Sequence, residues 1–159
     1  MYAITGATGN TGKRIAEALL AKGERVRAMG RSAERLKSLA ERGAEPCVAL
    51  LDDVDAMTRA FTGAKAVYLM IPPPYAEPDV RGYQNRLGQA LAEAVSAARV
   101  SHVVNLSSAG AHLSERVGPI NGLHDQEQRL NCLAGMNVLH LRPTSFMENF
   151  FFNVNLIKQ

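Results

Sequence analysis

Three glycines spaced three apart, Gly6, Gly9 and Gly12, stand between a short apolar run and an amphipathic helical pattern at the start of the chain. Few sequence features constrain a fold more tightly. Met1-Tyr-Ala-Ile4 predicts a strand, and Ile15, Ala18 and Leu19 recur at helical spacing. A strand, a Gly-x-x-Gly-x-x-Gly turn and a helix form the layout that cradles a dinucleotide pyrophosphate. Gly6 lets the chain turn sharply out of the strand, and Gly9 removes a Cβ where backbone must approach phosphate. Gly12 lets the helix lie close on the strand. With the helix starting near Thr11, its unpaired N–H groups and positive dipole end face the phosphates.

The second strand, residues 24–29, bears on which dinucleotide is taken. An NAD-selective site carries Asp or Glu near this strand's end, about 20 residues past the glycines. Gly30 and Arg31 stand there instead. No carboxylate is present to accept the ribose 2′-hydroxyl or repel a 2′-phosphate, and Arg31 can form a charge-assisted pair with that phosphate. NADP(H) is the expected cofactor, with NAD(H) as the lesser alternative.

Strand and helix signals alternate along the whole chain, the pattern of βαβ units and a parallel sheet. Ser32 can cap a helix through Leu36, Leu39 and Ala40 that stops at Gly43, and residues 46–51 read as a third strand. Asp53 or Asp55 starts a helix through Met57, Ala60 and Phe61, ended by Gly63. Residues 64–71 form a fourth strand, which Pro72, Pro73 and Pro74 break off because proline cannot donate to the ladder. A long helix over 80–98, a strand over 102–106, a helix over 121–134 and a strand over 136–141 complete the series. Six strands with helices between them predict an α/β doubly wound sheet of order 3-2-1-4-5-6, a Rossmann fold, with residues 1–159 as one domain.

Composition excludes several other classes. The net charge of +3 is mild and its Lys and Arg are scattered, so no basic stripe marks a nucleic-acid binder. No apolar run reaches membrane-spanning length and the start lacks a secretory pattern, so a cytoplasmic protein without a membrane partner is expected. Cys47 and Cys132 lack metal-ligand spacing and read as buried, reduced thiols. No metal site is expected.

In a doubly wound sheet the ligand lies beyond the carboxyl ends of the strands, at the switch in strand order. Those ends carry Gly6 to Gly12, Arg31, Asp52, Ile71 to Pro74, Ser107-Ser-Ala109 and Pro143-Thr-Ser-Phe146. Ser107 and Ser108 can bond a nicotinamide carboxamide or a substrate carbonyl, or can satisfy backbone at the turn.

At these positions the chain resembles the NmrA-like branch of the atypical short-chain dehydrogenases/reductases. Thr5-Gly-Ala-Thr-Gly-Asn-Thr-Gly12, Asn105-Leu-Ser-Ser108 and Leu141-Arg-Pro-Thr-Ser-Phe-Met-Glu-Asn149 carry the resemblance, which runs the length of the chain. The family joins NADPH-dependent reductases, quinone reductases among them, with redox-sensing regulators that bind the dinucleotide without turnover. The resemblance implies the pyrophosphate at Gly6, Thr8, Gly9, Asn10, Thr11 and Gly12, and the 2′-phosphate at Arg31. It implies nicotinamide-side contacts at Ser107, Pro143 and Phe146. Relatives often carry an acidic residue near Leu50 that contacts adenine. In this chain either Asp52 takes that place or backbone and Pro72, beside Ile71, hold the base alone.

The chain also departs from its relatives. The Tyr-x-x-x-Lys pair of the classical short-chain enzymes is missing, and that segment reads His124-Asp-Gln-Glu127. This resembles the His/Glu pattern of quinone-reductase-like members, with His124 as a proton donor near neutrality and Glu127 and Ser107 beside it. The bland alternative makes His124 a helix-start residue and Glu127 a solvated or capping carboxylate. Relatives continue, from near residue 150, into a further ~100-residue segment that builds most of the substrate pocket. Here Phe146, Phe150, Phe151 and Phe152, four of the five phenylalanines, fall in the final 14 residues. On a helix Phe150 to Phe152 point to different sides, so either a second subunit covers them in a homo-oligomer or the chain is a shortened product. The leading expectation is hydride transfer from NADPH to a small-molecule acceptor, a quinone or similar carbonyl. The rivals are a nucleotide-sensing regulator with a protein partner and a catalytically silent truncated domain.

Overall fold

The computed structural model describes residues 1–73, 77–153 and 157, and the side chains of Phe152 and Asn153 lie outside that description, as does Pro74. Strands and helices alternate in the order β1 (Tyr2–Ile4), α1 (Asn10–Ala21), β2 (Val26–Gly30), α2 (Ala33–Ala40), β3 (Glu45–Val48), α3 (Val54–Phe61) and β4 (Ala66–Met70). Then follow α4 (Val80–Ala97), β5 (His102–Leu106), a 3-10 turn (Gly118–Ile120), α5 (Asn121–Asn131), β6 (Asn137–Leu141) and a 3-10 segment (Met147–Asn153). The six strands form one sheet in the order β3-β2-β1-β4-β5-β6, all neighbours parallel, as the alternating pattern predicts.

Two apolar cores lie on the two faces of this sheet, because successive strand side chains point to opposite sides. Ala3, Met29, Leu69 and Val103 join Met57 and Phe61 of α3, Leu91 and Val95 of α4 and Leu130 of α5. Ile4, Val26, Ala28 and Tyr68 join Ala16 of α1 and Leu36 and Leu39 of α2. Full burial of one such aliphatic or aromatic side chain stabilises by about 1.5–3 kcal/mol. On the α1/α2 face no described helix covers the end of the sheet at β6. Leu139 and Leu141, which register with Val104 and Leu106 of β5, stay 57% and 40% exposed.

Several boundaries differ from expectation for identifiable reasons. Helix α1 starts at Asn10 with Gly9 as its extended N-cap, so Thr11 falls inside the first turn. Strand β3 ends at Val48, not at Leu51: it is an edge strand whose only neighbour, β2, ends at Gly30, and the last bond across is Ala49 N–H to the Gly30 carbonyl. Helix α5 stops at Asn131, where Cys132 N–H donates to the Gln128 carbonyl and Leu133 N–H to the Leu130 carbonyl. That cap position leaves Cys132 exposed, and Cys47 on the edge strand is half-buried, so neither is the fully buried thiol expected. The aspartate cap is Asp53, whose carboxylate accepts from Ala56 N–H at 2.9 Å. Among the described residues no helix is long and apolar enough to cross a membrane, and no cluster of metal-ligating side chains occurs.

Candidate functional site

The carboxyl ends of β1 and β4, the central strands, are stitched together by Thr5. Its buried hydroxyl donates to the Tyr68 carbonyl at 3.0 Å and accepts from Met70 N–H at 2.9 Å. This clasp holds the exit of β1 while the chain swings away into the glycine loop. Gly6 takes φ +60, and a Cβ there would meet the Met70 sulfur at 2.7 Å. A Cβ on Gly12 would lie 2.7 Å from the Gly6 carbonyl carbon and 3.0 Å from the Thr5 oxygen, both unyielding backbone. Gly9 differs: a Cβ there would touch only the Gly6 carbonyl oxygen, at 3.3 Å, and otherwise enter open space. Gly12 therefore seats α1 on the loop, and Gly9 keeps the outer side of the loop clear.

No side chain caps α1 and no acidic residue sits in its first turn. The free N–H groups and the positive end of the helix dipole thus face outward across Gly9. Thr8 and Thr11 are half-buried and Asn10 is exposed. Tyr68 donates its phenol hydrogen to the Thr11 hydroxyl at 3.1 Å, fixing the first turn over β4. A cradle of this shape, with backbone donors and an open glycine edge, fits a dinucleotide pyrophosphate.

Arg31 is exposed just past β2, beside a second arginine that periodicity did not single out. Arg35, on the first turn of α2, reaches across to donate to the Thr8 carbonyl at 3.2 Å. Its position on an exposed helix face is the ordinary place for a solvated arginine, so only the fold brings it to the glycine loop. Asp52 is exposed and lies 3.9 Å from Arg86, whose guanidinium in turn stands over the Tyr83 ring at 5.4 Å. Tyr83 itself lies close enough to Arg31, Glu77, Arg86 and Asp52 to feel their charges, although burial chiefly raises its pKa. Ile71 and Pro72 are half-buried at the end of β4.

The ends of β5 and β6 hold the other cluster. Ser107 N–H donates to the Leu141 carbonyl at 2.7 Å, and Ala109 N–H to the Pro143 carbonyl at 2.8 Å, so pairing continues past both strands. Ser107 Oγ donates to Glu127 Oε1 at 2.5 Å. Arg142 donates from Nε to Glu127 Oε1 at 2.9 Å and from Nη2 to Oε2 at 2.5 Å. Burial would push the Glu127 carboxyl up, but hydrogen bonds from Arg142 and Ser107, with the charge of Arg142, hold it below the ordinary value. Glu127 is therefore neither solvated nor a helix cap. Its side chain is 1% exposed and ionised.

His124 does not join this cluster by a hydrogen bond. Its Nδ1 lies 2.8 Å from the Ala111 carbonyl. A carbonyl can only accept, so Nδ1 carries a hydrogen and Nε2 is the one nitrogen left to exchange a proton. His140, on β6, is held neutral. The Asn105 amide donates to its Nδ1 at 3.2 Å, its Nε2 donates to Asn131 Oδ1 at 3.0 Å, and burial lowers its pKa. Pro143 is half-buried and Phe146 40% exposed at the rim. Arg142 lies within the motif over residues 141–149, which by itself assigns it no role. Its partner is 15 residues away, on the neighbouring helix, a contact that no periodicity reveals.

A model of the NAD(P)H-binding family matches residues 6–131. No curated protein sequence matches this chain closely enough to compare. Solved structures do. The triphenylmethane reductase of Citrobacter sp., complexed with NADP(H), superposes with a TM-score of 0.80 at 24% identity, over 95% of this chain and 51% of that one. The NADPH-dependent quinone oxidoreductase of Escherichia coli, complexed with NADPH, gives 0.81 at 23% identity, over 98% and 53%. An anaerobillin reductase from Escherichia coli O157:H7 gives 0.74 at 20% identity, over 89% and 71%. At such identities the likeness is one of fold, and the chain spans about half the length of the first two. The family match and the fold agree with the resemblance to the NmrA-like branch drawn from the motifs. The chain belongs to the NAD(P)H-binding family.

Proposed function

We propose that this chain binds NADP(H) in preference to NAD(H) and forms the cofactor-binding part of a reductase for a quinone or similar carbonyl acceptor. The observation that carries this reading is the cradle: an uncapped α1 behind the open edge of Gly9, with Arg31 and Arg35 beside it and Gly30 where a carboxylate would select NAD. The pyrophosphate would rest on Gly6 to Gly12 with Thr8, Asn10 and Thr11. Arg31 would meet the 2′-phosphate, and Asp52, Ile71 and Pro72 would border the adenosine half. When bound, the dihydronicotinamide supplies a hydride. The chain's part is to hold it beside the acceptor at the ends of β5 and β6, bounded by Ser107, Pro143 and Phe146. Reducing a quinone to its hydroquinone takes that hydride and one proton, which His124 can deliver from Nε2 while Ala111 holds Nδ1. The choice of a quinone is supported by the fold shared with the quinone oxidoreductase and by the relative stability of a hydroquinonate, which lessens the need for a Tyr/Lys acid.

One observation favours the rival, a dinucleotide-sensing regulator. Ser107, Glu127 and His124, the groups expected to move protons, each bond to an internal partner. One experiment separates the readings: NADPH oxidation with a panel of quinones, beside binding titrations of all four nicotinamide dinucleotides. The reductase reading expects turnover that His124→Ala lowers roughly 10²- to 10⁴-fold with NADPH affinity retained. It also expects Arg31→Ala to weaken NADPH about 10- to 100-fold with little change for NADH. No turnover with any quinone, joined to discrimination between NADP⁺ and NADPH, selects the sensor. Equal loss of both dinucleotides in Arg31→Ala overturns the 2′-phosphate assignment.

A further inference from the structure

Ser107 has two candidate ligand partners, a nicotinamide carboxamide and a substrate carbonyl, and the polarity of its hydroxyl tells them apart. A serine hydroxyl has one hydrogen to donate and two lone pairs with which to accept. Here the hydrogen is committed to Glu127 Oε1 at 2.5 Å. Glu127 is 1% exposed, and both its oxygens accept from Arg142, a residue that can donate but never accept. An ionised carboxylate held this way has no hydrogen to return to Ser107. The serine backbone is fixed as well, through its N–H on the Leu141 carbonyl at 2.7 Å. Turning the hydroxyl outward to donate elsewhere would strip a charge-assisted bond from a carboxylate that water cannot reach.

We propose that Glu127 and Arg142 fix Ser107 as a hydrogen-bond acceptor, so that Ser107 takes an N–H of the nicotinamide carboxamide and does not polarise a substrate carbonyl. The proposal rests on the NADP(H) reading above. Ser107 is the contact residue. Glu127 and Arg142, on α5 and just past β6, are positioning residues that act through it. The consequence is a division of labour: the amide end of the cofactor is recognised at β5, and any proton or hydrogen bond to the acceptor's oxygen comes from elsewhere, His124 Nε2 being the available group.

Two cofactor analogues read this polarity directly in equilibrium binding. The 3-acetylpyridine analogue of NADP⁺ keeps a carbonyl but has no N–H, and the thionicotinamide analogue keeps its N–H groups but replaces the oxygen with sulfur. The wild type is expected to bind NADP⁺ and the thionicotinamide analogue alike, and the acetylpyridine analogue about 5- to 30-fold more weakly, as befits one lost hydrogen bond. Ser107→Ala should weaken NADP⁺ by a similar factor and leave the acetylpyridine analogue within about twofold. If the wild type binds NADP⁺ and the acetylpyridine analogue equally, or penalises the thionicotinamide analogue as heavily, the proposal is overturned. It is also overturned if Ser107→Ala preserves the preference or weakens both ligands alike. A wild type without this preference overturns the proposal even where Ser107→Ala does not fold. A wild type that binds none of the three refutes the NADP(H) reading instead.

Discussion

At the scale of single residues, Glu127 shows how far environment can set a side chain's role. On sequence it is the glutamate of a His/Glu pattern with His124, or else a solvated or capping carboxylate, yet in the fold it is a buried anion shared between Ser107 and Arg142. Its folded pKa lies below the ordinary glutamate value of 4.5, and that of Asp125, on the same helix, is similarly lowered by Arg81 and Asn85 of α4. A depressed carboxyl pKa stabilises the fold fully above the unfolded value, and that stability is lost as pH falls through the folded one. Glu127→Gln should therefore lower the urea midpoint at neutral pH. The gap to wild type should close as pH drops below about 4.5, the unfolded glutamate value. A gap that stays constant through this acid range, measured by urea titration followed by circular dichroism, would show that Glu127 is not the buried ion described here.

At the scale of elements, the three loop glycines carry different burdens, which two substitutions can separate. Gly12→Val places atoms against the Gly6 and Thr5 backbone, so α1 must move off β1. That change should unfold the protein or sharply lower its melting temperature, since backbone cannot yield as a flexible side chain does. Gly9→Val meets only one carbonyl oxygen and should fold with a near-native melting curve. It should nonetheless fail to bind NADPH, because the branched side chain fills the space that the phosphates need. Normal NADPH binding by a folded Gly9→Val would sink the pyrophosphate placement. Sequence spacing alone anticipated that Gly12 seats the helix on the strand. It located the start of α1 one residue late and extended β3 and α5 by three residues each, because edge pairing and cap geometry depend on neighbours not adjacent in sequence.

At the scale of the whole molecule, apolar surface gathers at one end of the sheet. Leu139 and Leu141 on β6 are exposed where no described helix covers them, and Met147, Phe150 and Phe151 are 75%, 59% and 74% exposed beyond. Phenylalanines on several sides of this segment were expected to be hard to bury together, and the two whose side chains are described here are open; the side chain of Phe152 lies outside the described residues. Such a patch favours association. Sedimentation velocity of the chain should show concentration-dependent self-association, and Met147→Ser with Phe151→Ser should shift it toward monomer. A wild type that stays monomeric across the concentration series would argue against it.

Sequence by itself determined the features that depend on near neighbours along the chain. The glycine spacing, the alternation of strand and helix, and Arg31 in place of a carboxylate are all local, and from them came the sheet order, the family and the expected cofactor. Caps such as Asp53 and Ser32 were legible for the same reason: a side chain three residues from its partner N–H leaves a readable pattern. Only the tertiary structure decided the polarity of the site. Ser107, Glu127 and Arg142 come from β5, α5 and the end of β6, and Arg35 meets Thr8 across 27 residues. The direction of a hydroxyl hydrogen, the charge of a buried carboxyl and the tautomer of His124 follow from which groups the fold leaves within three ångströms of one another. Periodicity carries no record of that.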